Sequence, residues 1–312
     1  MVTWRRSTSG TLPAPARLAR VGPLERRERK LFLAFLTPGV LLALGAIFIP
    51  VLYAIQLSFY HAESFIDTPR FVGLANYVRI FADARYWEAF GHGLLYAVTT
   101  VVLQVVIGIA IALLLHQEFR GRAWLRSAAL SPYILPTVVV VYIWTWLLNM
   151  NHGLINAFLD STGLGAIGWF ESPMAAWCTI IFVSVWHWTP FVIITFLAAL
   201  QTISDDLYDA AAVDGSNAWQ RFVYVTLPVL RPVLLVIVML RTIFMFNKFD
   251  IVWLLTHGGP LTSTEHLPIL MYQKTFHMFD IGGGTAIAVS SFIFLTLLIW
   301  LYFRLFPVEE ND

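Results

Sequence analysis

Long apolar runs separated by polar connections dominate the pattern of this chain. Six runs are long enough to cross a bilayer, since a helical span takes about 20 apolar residues. They lack the strict alternation of a barrel wall, and a backbone in lipid must satisfy its own hydrogen bonds, so helices are predicted. The pattern therefore predicts an all-α membrane protein with six transmembrane helices, at approximately residues 31–60, 91–116, 127–149, 175–200, 232–256 and 284–306.

Composition supports a membrane protein independently of the pattern. The chain of 312 residues is 58% hydrophobic and only 12% charged, and its mean hydropathy is +0.72. A soluble globular protein of this size is far less apolar, so that class is excluded. The net charge of +1 gives no indication of nucleic acid binding.

The distribution of lysine and arginine predicts the orientation in the membrane. With both termini inside, the inner segments hold fourteen of these residues and the outer loops hold four. The positive-inside rule then gives a basic cytoplasmic tail (1–30), a membrane domain (31–306), a cytoplasmic loop within it (201–231) and a short cytoplasmic tail (307–312).

Motifs for enzymatic chemistry are missing from the sequence. It has no Gly-x-x-x-x-Gly-Lys-Ser/Thr phosphate loop, no His-Glu-x-x-His and no Gly-x-Ser-x-Gly. The single cysteine, Cys178, lies in an apolar run and is expected to be a buried, inert thiol. We therefore expect a protein that is not an enzyme and carries no metal or cofactor of its own.

The loop at 201–231 has the most informative spacing. Asp209-Ala210-Ala211 is followed after three residues by Gly215, and after nine more by Val225-Thr226-Leu227-Pro228. Ser204 is a good N-cap for a first helix, and Gly215 allows the positive φ that ends it. A second helix at 218–226 presents an apolar face that includes Trp219. This face either meets a partner or packs beneath its own bundle.

The spacing resembles the EAA signature of permease subunits of ATP-binding-cassette (ABC) importers, with Asp209 where the family has glutamate. Residues 71–77, 121–126 and 255–260 also resemble the carbohydrate-uptake branch of these permeases, which includes maltose, trehalose and glycerol-phosphate importers. The resemblance extends from about residue 31 to the C-terminus.

The resemblance implies the type I ABC importer permease fold, in a bacterial inner membrane, with the loop docked as coupling helices in a cytoplasmic ATPase. The implied partners are a second permease subunit, an ABC ATPase dimer that carries ATP and magnesium, and a periplasmic or extracellular sugar-binding protein. The residues implied to contact the ATPase are Asp209, Ala210, Ala211, Asp214, Gly215, Trp219, Leu227 and Pro228.

Polar and aromatic residues within the spans are candidates for the substrate pathway, because polar groups in lipid are costly and usually face a wet interior. The candidates are Tyr142, Trp146, Trp186, His187, Trp188, Asn247, Lys248 and Asp250. For the tryptophans, an interfacial belt is the alternative, and for Lys248 it is snorkelling to the outer surface. On a continuous helix Lys248 and Asp250 lie on opposite faces, which predicts that they do not pair.

The leading hypothesis is thus a permease subunit that forms half of the pathway for a sugar or sugar derivative, driven by a separate ATPase. An anionic sugar derivative remains an alternative substrate, because Lys248 could bind an acidic group. The alternative is a stand-alone secondary carrier or another polytopic protein that is not coupled to an ATPase. Six spans without a visible inverted repeat weigh against the carrier.

Overall fold

The computed structural model describes residues 23–62 and 68–307, with side chains from residue 30 onward. Most of the predicted N-terminal tail and all but the first residue of the predicted C-terminal tail therefore lie outside the described residues. The chain divides into two units, residues 1–53 and 54–312, and each is described by itself.

The described residues are mostly helical. Two short strands, β1 (Tyr60–His61) and β2 (Arg70–Phe71), pair antiparallel. The helices are α1 (Pro23–Leu57), α2 (Ala75–Ala82), α3 (Ala84–His116), α4 (Arg122–Ile134), α5 (Thr137–Leu147), α6 (Leu154–Ser161), α7 (Pro173–Leu200), α8 (Asp205–Val213), α9 (Ala218–Arg221), α10 (Leu227–Val229), α11 (Arg231–Phe246), α12 (Asp250–Thr256), α13 (Leu267–Tyr272) and α14 (Ile281–Leu305), with π-helical turns at Phe222–Thr226 and Gln273–His277.

The first unit contains most of α1. Between residues 30 and 53 nearly every side chain is exposed, although the stretch is strongly apolar. An apolar helix that is exposed on all sides suits a lipid environment rather than water.

The second unit is built around α3 and α7, which lie side by side. Their approach is close at Gly108, where an added Cβ would come within 2.7 Å of the Val192 side chain. One buried cluster, containing Tyr96, Ile180 and Phe246, lies toward the beginning of α3. A second, containing Leu115 and Phe196, lies toward its end, so α3 and α7 run in the same direction.

Within the described residues, four helices are long and apolar enough to cross a membrane. The number of possible spans rises to as many as six if each of two bent helix pairs is counted as one span. The four are residues 30–57 of α1, together with α3, α7 and α14, and each overlaps a predicted run. The other two predicted runs, 127–149 and 232–256, are not continuous helices.

The third predicted run is broken between α4 and α5, which are bent by 101°. Pro136 stands at this break as the residue before α5. Proline supplies no backbone N–H and its ring obstructs the preceding turn, which explains why the helix stops there. The third predicted span is therefore two helices with a sharp change of direction between them.

The fifth predicted run ends early, at Phe246, and resumes as α12 only at Asp250. No proline or glycine lies in the break. Instead, the Lys248 carbonyl freed from the helical ladder accepts a 2.8 Å hydrogen bond from Nε2 of His266. A contact 18 residues away along the chain thus compensates for the interrupted helix.

The segment that bears His266 is fixed by a buried carboxylate. Glu265 is 2% exposed and receives two hydrogen bonds from the Arg85 guanidinium, at 2.9 and 2.6 Å. The His92 ring also bonds the Glu265 carbonyl at 2.8 Å. Planar, two-point pairing of this kind is geometrically specific, so the connection between α12 and α13 is held firmly on the start of α3.

The expectation of a buried cysteine is wrong. Cys178 is exposed, on the side of α7 where a cavity of about 320 Å³ lies between Trp144, Trp169 and Phe182. The apolar run around Cys178 indicated burial within the protein, but a lipid-facing side of a span is apolar as well.

Candidate functional site

The loop between α7 and α11 forms two short helices joined by a tight turn. Helix α8 begins after Ser204, as predicted, and Gly215 follows it with φ of 80°, in the left-handed region. Helix α9 begins with a capping box in which Asn217 and Gln220 bond each other's backbone N–H groups. The predicted second helix is confirmed, but its last turn, Phe222–Thr226, is π-helical.

Most of the loop surface is open. None of the residues of α8 or α9 is buried, and Trp219 and Tyr224 are 71% and 75% exposed. At the base, the hydroxyl groups of Tyr208 and Thr226 lie 2.9 Å apart in a hydrogen bond. The two helices are thus joined to each other near the bundle, while their outer surface stays free to meet another protein.

The eight predicted coupling residues all lie on this loop. Trp219 belongs to the exposed surface, and its ring contacts that of Phe222 with centroids 5.6 Å apart. Most of the others are exposed too, with Ala211 and Leu227 half-buried: Asp209, Ala210, Ala211, Asp214, Gly215, Leu227 and Pro228. Their contact with an ATPase stays a prediction.

A cavity of about 520 Å³ lies between α4, α7 and the end of α11. Most of its lining is aromatic or aliphatic, with a few polar groups at one end. Such a mixture is typical of sites that bind small organic molecules. The lining residues are Tyr133, Trp188, Phe191, Arg241, Phe244, Met245, Asn247, Lys248, Phe249 and Asp250.

Arg241 is the most deeply placed cation of this cavity, at 2% exposure. Its Nε donates a 2.8 Å hydrogen bond to Oε1 of the fully buried Gln104. The guanidinium carbon lies 5.4 Å from the Trp188 ring centroid and 5.6 Å from that of Phe191. A neutral amide and two aromatic faces, rather than a carboxylate, therefore hold this charge.

Lys248 and Asp250 do pair, contrary to the prediction from a continuous helix. The Lys248 ammonium lies 3.1 Å from Oδ2 of Asp250 and 3.9 Å from the Trp188 ring centroid. The break after Phe246 removes the helical geometry on which the prediction depended. The Lys248 side chain is only 14% exposed, so it does not snorkel into water.

The predicted pathway residues separate into two groups. Trp188, Asn247, Lys248 and Asp250 line the cavity together. His187 is buried behind them, with Nδ1 donating to the Pro132 carbonyl at 2.9 Å. Tyr142, Trp146 and Trp186 lie outside this lining, and they are 68%, 52% and 37% exposed.

Sequence reasoning missed Tyr133, Phe191, Phe244, Met245 and Phe249, which contribute most of the apolar lining. No local signal distinguishes these side chains from lipid-facing ones, because both sides of a span are apolar. Arg241 did carry a signal, as an isolated charge near the middle of an apolar run. Among the described residues, no three His, Cys, Asp or Glu side chains form a group that could hold a metal ion.

Solved structures with a similar fold are transport proteins. A chain of a bacterial ABC transporter involved in the import of the acidic polysaccharide alginate superimposes with a TM-score of 0.78, covering 91% of this chain and 99% of that one at 20% identity. The same transporter in complex with an alginate pentasaccharide-bound periplasmic protein gives a TM-score of 0.80. The likeness places the described helices in the type I ABC importer permease fold.

Similar proteins known from sequence are permeases. The trehalose/maltose transport system permease protein MalF of Thermococcus litoralis is 34% identical over 90% of this chain and 95% of its own length. The inner membrane ABC transporter permease protein YcjO of Escherichia coli is 36% identical over 88% and 94%. The sulfoquinovosyl glycerol transport system permease protein SmoG of Agrobacterium fabrum is 33% identical over 92% and 94%.

The family model for the inner membrane component of binding-protein-dependent transport systems matches residues 104–307. This match covers well over half of the chain and includes the loop, the cavity and both helix breaks. The resemblance to ABC importer permeases stated from the sequence is confirmed. The chain therefore belongs to the family of inner membrane components of binding-protein-dependent transport systems.

Proposed function

We propose that this chain is a permease subunit of an ATP-driven importer and forms half of the pathway for a sugar or sugar derivative. The observation that carries the proposal is the continuity from the exposed helices α8 and α9 into α11. Helix α11 begins directly after the loop and ends at the break that lines the cavity. Movement imposed on the loop therefore has a short path to the cavity.

In this proposal the chain crosses the membrane six times, with α4 and α5 together making the third crossing and α11 with α12 the fifth. In it, both termini and the EAA loop at 201–231 lie in the cytoplasm, and the lysine and arginine distribution supports this orientation. The cavity then opens within the membrane domain. This arrangement places the loop on the side where ATP is available.

The loop is suited to transmit the movement of an ATPase. The hydrogen bond between Tyr208 and Thr226 makes α8 and the end of the second helix move together. Leu230, the residue before α11, is 2% exposed and packs in the buried cluster with Leu200. A displacement at Trp219 is thus passed to packed elements rather than absorbed by a free connection.

The cavity is suited to a sugar. Tyr133 offers an aromatic ring for contact with a sugar, and Asn247, Lys248 and Asp250 offer hydrogen-bonding groups. The relatives that transport trehalose and maltose, or sulfoquinovosyl glycerol, support the sugar class by their names. We propose Trp188, Asn247, Lys248 and Asp250 as pathway residues, with His187 as a support behind them.

The partners in this proposal are a second permease subunit, a cytoplasmic ABC ATPase dimer that binds ATP and magnesium, and an external sugar-binding protein. The similar alginate transporter forms a complex with a ligand-bound periplasmic protein. The chain itself supplies no catalytic residue. Hydrolysis takes place on the partner.

Two matched glycines provide the test. Gly215 in the loop and Gly163 between α6 and α7 both have φ of 80°, and an added Cβ at either position would meet nothing within 4 Å. Asp at either position imposes the same backbone cost of roughly 1 kcal/mol. We expect Gly215→Asp to reduce the amount of ATPase that copurifies with the tagged chain, and Gly163→Asp to leave it unchanged. Equal recovery with both variants, or a wild-type chain that purifies alone from mild detergent, would contradict the proposal.

A further inference from the structure

Two arginines near the beginning of α4 have guanidinium nitrogens that no protein group satisfies. Nε of Arg122 and Nε and Nη2 of Arg126 are enclosed and have no hydrogen-bond partner in the described part of the chain. Nδ1 of His116, at the end of α3, is in the same condition. A buried donor without a partner is costly, and a charged one more so, which indicates that something absent from the chain completes this site.

The two arginines share one side of α4, because they are four residues apart. Ala129 and Leu130 continue that side and pack against the buried cluster that contains Leu115 and Leu200. The opposite side of the helix carries Trp124, which is 76% exposed. The arginine pair therefore lies at the start of α4, on the side of that helix that faces the ends of α3 and α7.

The depth of the two arginines in the membrane follows from contacts farther along α4. The Pro132 carbonyl bonds His187, which lies near the middle of the 28-residue helix α7. Arg126 and Arg122 precede Pro132 by six and ten residues, or at most ~9 Å and ~15 Å along a helix that rises 1.5 Å per residue. Half of the hydrocarbon thickness is about 15 Å. Both backbones thus lie at or within the edge of the hydrocarbon layer, with side chains long enough to reach the phosphate level.

The local charge balance favours an anion. Between His116 and Leu130 the sequence has three arginines and one acidic residue, Glu118. Arg122 and Arg126 form no ion pair with it or with any other carboxylate that the structure describes. Lipid phosphates of the same leaflet lie just beyond this depth, within reach of the arginine side chains, and basic pockets between helices are known to hold anionic lipid headgroups.

We propose that Arg122 and Arg126 bind the phosphate of an anionic phospholipid of the inner leaflet. The guanidinium fork matches phosphate geometry in two-point hydrogen bonding. His116, at the end of α3, is a further polar group without a partner among the described residues. The exposed Trp124 on the opposite side of α4 suits the adjoining membrane interface.

The test uses the transporter complex purified in detergent, stripped of lipid and titrated with phosphatidylglycerol while thermal stability is followed. We expect a saturable rise in melting temperature for wild type. Arg122→Gln/Arg126→Gln is expected to weaken the apparent phosphatidylglycerol affinity about thirtyfold, the loss for two arginine contacts with an anionic surface. Arg120→Gln, which removes an exposed arginine from the same segment, is the matched control and is expected to behave as wild type.

Phosphatidylcholine and inorganic phosphate are titrated in parallel to identify the source of the phosphate group. A saturable response to inorganic phosphate equal to that of phosphatidylglycerol would overturn the lipid assignment. An unchanged phosphatidylglycerol affinity in the double variant would also overturn the lipid assignment. Loss of a protein partner from the purified double variant, without a change in lipid affinity, would assign the arginines to a subunit contact. If the double variant does not fold, Arg126→Lys and Arg126→Gln give the comparison, with weaker binding expected for Gln.

Discussion

Replacing Trp219 by alanine is expected to weaken binding of the ATPase without unfolding the permease. The side chain is 71% exposed in this chain. Docking that covers the exposed part of a tryptophan of about 250 Å² removes about 180 Å² from water, or about 4 kcal/mol at 25 cal/mol/Å². Incomplete coverage and the cost of ordering the interface reduce this to about 2 kcal/mol, a loss of roughly thirtyfold in affinity.

The same substitution is expected to change the stability of the permease itself very little. The ring contact of Trp219 is with Phe222, at 5.6 Å between centroids, and an exposed aromatic pair contributes about 0.5–1 kcal/mol. The assay is binding of the purified ATPase to the permease complex in lipid nanodiscs. Phe158→Ala is the matched control, because Phe158 is 66% exposed and lies on α6, far along the chain from the loop. If Trp219→Ala binds the ATPase within twofold of wild type, the assignment of this surface is refuted.

Three further predictions concern the membrane domain and its outer connection. Gln104→Leu removes the hydrogen-bond acceptor of the buried Arg241 and is expected to lower the free energy of unfolding in detergent by about 2–3 kcal/mol. Gln104→Glu keeps an acceptor and is expected to lower the free energy of unfolding by less. Equal losses in the two variants would contradict the role of this hydrogen bond. Lys248→Gln removes the ammonium between Asp250 and Trp188 and is expected to reduce uptake of acidic sugars about tenfold; unchanged uptake of every acidic sugar tested would disprove it. Burial lowers the pKa of His266 to about 4, against the opposing effect of its bond to the Lys248 carbonyl. The unfolded chain therefore binds the proton first as pH falls below about 6.5, and stability present above that pH is lost toward pH 4. At pH 5 the loss relative to pH 7.5 is about 2 kcal/mol, and thermal unfolding of wild type and His266→Gln at both pH values measures it. An identical pH dependence in the two proteins would show that His266 does not contribute.

The spans that could be predicted from the sequence are those whose ends are set by local signals. Helices α3, α7 and α14 coincide with long apolar runs; they begin two to seven residues earlier than predicted, and their last residues agree to within one. The turn at Gly215 was also predictable, because a positive φ there needs a residue without a Cβ.

The break at residues 247–249 was not predictable from periodicity. Its stability depends on His266, which donates to the Lys248 carbonyl from a connection that Arg85 and Glu265 hold in place. Contacts over such separations leave no trace in the apolar pattern. The Lys248–Asp250 pair was missed for the same reason, since it follows from the break.

The measurement that most directly tests the account is sugar uptake into proteoliposomes containing this chain with its copurified partners. The account predicts uptake only when ATP is inside the vesicles and a sugar-loaded binding protein is outside. It also predicts that vesicles containing the chain alone take up no sugar under the same conditions. ATP-independent uptake by the chain alone would contradict the central claim and establish a stand-alone carrier.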